Sequence, residues 1–133
     1  MDFGKDDGTG FELVEGKPKE GVLGLRVCSG QALKDIHAKT RKQKAEYKNR
    51  QRHEFIVVDE ELELELIWDY SIPFWEGIKF AGPGEDKPTK KDCTLENKIF
   101  AMRNFPKFVA YYQKFMTILN EELESIREES AKN

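Results

Sequence analysis

The segment DEELELELIWDYSIPFWEGI, residues 59–78, constrains the chain more than any other because it supports two incompatible local structures. Leu62, Leu64 and Leu66 alternate with glutamates in the manner of a half-buried strand. Glutamate, however, favours helix over strand. Asp59 is a good capping residue, and Glu60, Glu61 and Glu63 would occupy a first turn, where the positive end of the helix dipole favours them. Leu62, Leu66 and Tyr70 also make an i, i+4 stripe, widened by Ile67 and Trp68. Pro73 biases Ile72 away from helical backbone. The pattern therefore predicts a helix from Asp59 to about Ser71. Trp75, Gly77 and Ile78 then read as a structural turn: a large ring to bury, a residue free to reverse the backbone, and an apolar side chain to dock behind it.

The rest of the chain has to supply a core without long apolar runs. Hydrophobic residues are 38% of the 133 and charged residues 35%, so burial must come from spaced positions in about one domain. No stretch approaches the roughly 18 apolar residues of a membrane span. Residues 1–10, acidic and glycine-rich, are unlike a secretory signal and too polar to order themselves. Residues 127–133 form a polar C-terminal tail, leaving 11–126 as a single domain. Two cysteines, Cys28 and Cys93, are fewer than a small secreted scaffold would carry, which suggests a reducing cytoplasm.

Phe11 and Leu13, then Leu23, Leu25 and Val27, fall at period two around GKPKEG, which predicts a β-hairpin over 11–28. From 29 onward the chain reads as a helical body. Ser29 is placed to cap a helix through QALKDIHAKTRKQKAEYKNRQ, apolar only in its first half. AGPGEDKPTKKDC is a loop, Thr94 caps a short helix with Leu95, Ile99 and Met102 on one face, and Pro106 opens the last. The predicted fold class is α+β, an N-terminal β-hairpin followed by a mostly helical body of about four helices.

Candidate chemistry is sparse. His37 and His53 have no metal-ligand spacing with each other or with the cysteines. They read as a helix-surface and a loop histidine, and neither a metal site nor a cofactor is expected. Glycines 4, 8 and 10 lack the strand–helix context and GK[ST] ending of a phosphate loop. Nothing points to a nucleophile–base pair, so the expectation is a protein without enzymatic activity. Residues 34–52 carry eight Lys or Arg against Asp35 and Glu46, and residues 59–69 carry six acids and no base. The basic stretch could contact phosphates, but its charges wrap around the predicted helix and the net charge is −3, so nucleic acid is an unfavoured partner. Aromatic residues crowd the C-terminal region. They are either core or a surface that meets another protein, where aromatic anchors are enriched. The candidate surface is Phe108, Tyr111, Tyr112, Phe115, Met116 and Leu119.

Several motifs, read in order, resemble the tail assembly chaperones of long-tailed bacteriophages and prophages. They are Ser29-Gly30-Gln31-Ala32-Leu33-Lys34-Asp35-Ile36 after a strand, Trp75-Glu76-Gly77-Ile78 after an acidic helix, Thr94-Leu95-Glu96-Asn97 after a Gly/Pro loop, and the apolar helix from Pro106. The resemblance spans about residues 22–120. Pro73 and Phe74 depart from it, standing where that family more often continues a helix into the tryptophan. It implies a binding protein of the bacterial host cytoplasm that coats the tape-measure protein until tail-tube subunits replace it, with self-association left open. A small tail structural or connector protein is the alternative, and a nucleic-acid-binding accessory protein a more distant one.

Overall fold

Alternation in the first hairpin becomes a three-stranded antiparallel sheet. The computed structural model describes residues 7–131, with side chains as far as Ile126. Strand β1 (Thr9–Glu12) pairs with β2 (Val22–Leu25), and β2 pairs on its other side with β5 (Phe74–Glu76). The register aligns Phe11, Leu23 and Trp75 across the sheet on the face that meets the core. Gly10, Gly24 and Phe74 form the adjacent row, on the opposite face. Thr9 and Gly10, assigned from sequence to a disordered tail, are thus part of the sheet; residues 1–6 lie outside the described residues.

Helix α1 (Gln31–Thr40) has Gly30 at its N-cap position, at positive φ and with no side-chain cap, in place of the Ser29 cap expected from sequence. It also ends eleven residues earlier than predicted. Residues 41–58 form an antiparallel ribbon instead, β3 (Arg41–Lys48) and β4 (Gln51–Val58), so His53 lies in a strand and not in a loop. Asn49 and Arg50, both at positive φ, make the two-residue turn that matches the twist of such a pair. The lysines and the one glutamate of β3, Glu46, favour helix weakly. Pairing with the β-rich run Phe55-Ile56-Val57-Val58 outweighs that preference.

The acidic segment is a helix, α2 (Glu60–Ser71), and Asp59 accepts a hydrogen bond from the Leu62 amide. Its other end is held by cations: the Arg26 guanidinium donates to the Tyr70 carbonyl, and Lys98 donates to both the carbonyl and the carboxylate of Asp69. Short strands β6 (Lys79–Phe80) and β7 (Thr89–Lys90) pair across the Gly/Pro loop. Helix α3 (Leu95–Asn104) is capped by Thr94, and Pro106 begins α4 (Pro106–Ala131), which continues through residues assigned from sequence to a polar tail. On α3 the buried side is Lys98, Ala101 and Met102, while Leu95 is exposed. The core lies between the first sheet and helices α3 and α4. Among the described residues no helix is long and apolar enough to cross a membrane.

Candidate docking groove

The aromatic residues of α4 divide by depth. Phe108, Phe115 and Leu119, assigned from sequence to a partner surface, are buried in the core, and of the three only Phe108 also lines the groove described below. Phe115 stacks on Phe11 at 4.7 Å, and Phe108 meets the Trp75 ring edge-on at 5.7 Å. These contacts follow from α4 lying across the inner face of the sheet, which sequence periodicity does not specify. Tyr111, Tyr112 and Met116 are half-buried against the same core. Tyr112 turns inward, its hydroxyl 2.9 Å from that of Ser71 at the end of α2, and burial pushes its pKa up.

Of the segment read from sequence as a turn, Trp75 belongs to strand β5, and the chain bends after it, at Gly77. Trp75 is buried and its indole N–H donates to the Lys91 carbonyl at 2.7 Å. Gly77 adopts φ +66°, and Ile78 is buried behind it. Together with its neighbours this turn forms one side of a groove of about 560 Å³. Ile78, Ala101 and Phe108 make a buried floor. Leu13, Phe105 and Tyr111 make half-buried walls, and Val14 is exposed at the lip. Lys19, Lys79 and Lys107 stand around it with Glu20, giving an apolar slot with a mainly cationic rim. Two of the candidate partner residues, Phe108 and Tyr111, and two of the turn residues, Gly77 and Ile78, are brought together here. Leu13, Val14 and Phe105 were not among the partner or turn residues marked from sequence. They come from the first hairpin and the α3–α4 junction, and only the tertiary fold places them beside one another.

Groups that could perform chemistry elsewhere are committed to structure. Lys98 and Arg26 border a more polar hollow against α1, but both hold the C-terminal carbonyls of α2. Burial raises the pKa of both Cys28 and Cys93, which keeps the thiols protonated and weakly nucleophilic near neutral pH. Among the described residues no cluster of three or more His, Cys, Asp or Glu is arranged to hold a metal ion. The groove itself is lined by no His or Cys. Its arrangement favours capture of apolar side chains flanked by negative charge. Comparison with known proteins finds no matching family model, no matching curated protein and no matching solved structure.

Proposed function

We propose that the chain is a non-enzymatic binding protein that shelters an apolar, acid-flanked helical segment of a partner, as a phage or prophage tail assembly chaperone would shelter its tape-measure protein. The groove beside the Trp75–Ile78 turn is the observation that supports this reading: an amphipathic helix lays its apolar face into such a slot, and the three lysines select acidic flanks. Its volume lies within the range of sites that bury a few large side chains. The order of motifs along the chain supplies the choice of partner.

Val14 provides the test, because it lines the groove yet contributes nothing to the core cluster. Tagged protein and its Val14→Glu variant would each be expressed in the source host after phage infection or prophage induction, and co-purification of a tape-measure protein followed by mass spectrometry. The expected result is co-purification with the unmodified chain and a loss of about tenfold or more with the variant. Capture unaffected by Val14→Glu would reject the groove. Recovery of tail-tube or connector protein in place of the tape-measure protein would favour a structural role in the tail.

A further inference from the structure

Helix α4 is longer than its core contacts require. Leu119 is the last of its side chains in the core cluster, yet the helix runs on through residues 120–131, about 18 Å at the helical rise. This end keeps an apolar edge. Leu123 and Ile126 stand three positions apart on one face, Leu123 half-buried and Ile126 45% exposed, and neither joins the core cluster. Glu122 lies one turn before Ile126 and borders that face, with Glu121 and Glu124 exposed further round the helix. Residues 119–129 of the sequence hold five Glu and one Arg.

The groove beside Gly77 has the opposite charge around a matching apolar floor. Ile78, Ala101 and Phe108 form that floor, and Lys19, Lys79 and Lys107 stand around it against the single Glu20. The charges on both surfaces are uncommitted. Among the described residues, none of these three lysines and none of Glu121, Glu122 and Glu124 takes part in an ion pair. The end of α4 cannot fill the groove of its own chain. Phe108, in the groove, and Ile126 lie on one continuous helix, about 27 Å apart along its axis. A second copy is therefore the source from which this acidic, apolar helix end can come.

We propose that the α4 end of one copy seats Leu123 and Ile126 in the groove of another, with Glu122 facing the lysine rim. The contact is heterologous: each pair still presents one free groove and one free α4 end, so association runs head to tail and grows with concentration. The inference rests on the reading of this groove as a helix-capture site and adds its regulation. One groove takes one helix, so a partner segment must displace the neighbouring copy in order to bind.

The test uses full-length chains with one change each: Val14→Glu, at the lip of the groove, and Ile126→Lys, on the α4 end. In sedimentation velocity over about a hundredfold range of concentration, the unmodified chain is expected to rise from 15.5 kDa to twice that mass and beyond. Val14→Glu sets a carboxylate against the glutamates of the incoming helix, and Ile126→Lys sets a cation against the lysine rim. Each variant alone should associate about tenfold or more weakly. Mixed in equal amounts, the two retain one intact contact, the α4 end of the Val14→Glu chain in the groove of the Ile126→Lys chain. The mixture therefore stops at twice the chain mass, a rescue and a limit that misfolding of either variant could not produce. A monomeric unmodified chain, unimpaired variants, or a mixture that fails to pair would each overturn the inference. A monomeric unmodified chain whose partner capture is still abolished by Val14→Glu would overturn self-association alone and leave the capture site standing. Self-association abolished by Val14→Glu with partner capture unaffected would uphold the self-contact and reject the groove as the partner's site.

Discussion

Gly24 and Tyr112 show how single residues set the packing. Gly24 lies between Gly10 and Phe74 in the sheet, and a Cβ added there would come within 2.5 Å of the Phe74 ring. The two glycines leave a trough for an aromatic ring, so Gly24→Ala should cost about 1–3 kcal/mol through overpacking. Urea unfolding would measure it, and an unchanged midpoint would mean the ring moves freely. Tyr112 contributes to the behaviour in alkali, beside Cys28 and Cys93. Burial raises its pKa above the ordinary value of 10.0, so the folded state binds the phenolic proton more tightly than the unfolded state does. The resulting stability is present below about pH 10 and is lost as pH rises through the folded-state pKa. The unmodified chain should therefore lose stability above that pH more steeply than Tyr112→Phe, which has no proton to lose. Parallel stability curves for the two proteins from pH 8 to 11 would contradict this.

Elements differ in how much of their reason for existing is local. The boundaries of α2 were legible because both are written into neighbouring residues: Asp59 accepts from the Leu62 amide, and Pro73 stops the helix. The same holds for Thr94 at α3 and Pro106 at α4. The ribbon was misread as helix because Lys, Gln and Glu dominate β3, and the balance is tipped by a partner strand across a turn. Its Asn49–Arg50 turn lacks the glycine that usually signals such a hairpin. Since residues 41–57 join no core contact, the domain should fold without most of the ribbon. Replacing residues 43–56 with Asn-Gly should leave the helical circular dichroism and shift the thermal midpoint by only about 3 °C, below the change of losing one core side chain. A collapse of cooperative unfolding would show that the ribbon is integral to the domain.

At the scale of the molecule, sequence by itself determined the α+β class, the first hairpin, the starts of three helices and the freedom of the backbone to bend at Gly77. Each rests on capping, proline geometry, glycine conformation or periodicity, interactions among residues a few positions apart. It also revealed the separation of charge along the chain, though not that the basic stretch becomes a ribbon lying against the acidic helix. The candidate groove was legible only in fragments: Phe108, Tyr111, Gly77 and Ile78 were marked, but as members of different features. Tertiary structure alone decided that β5 completes the first sheet, that Phe108, Phe115 and Leu119 face inward, and that Leu13 and Phe105 meet across a slot. Those outcomes depend on strand pairing and burial between residues tens of positions apart. A broad aromatic stripe has several ways to bury itself, and only the surfaces that pack against it select one.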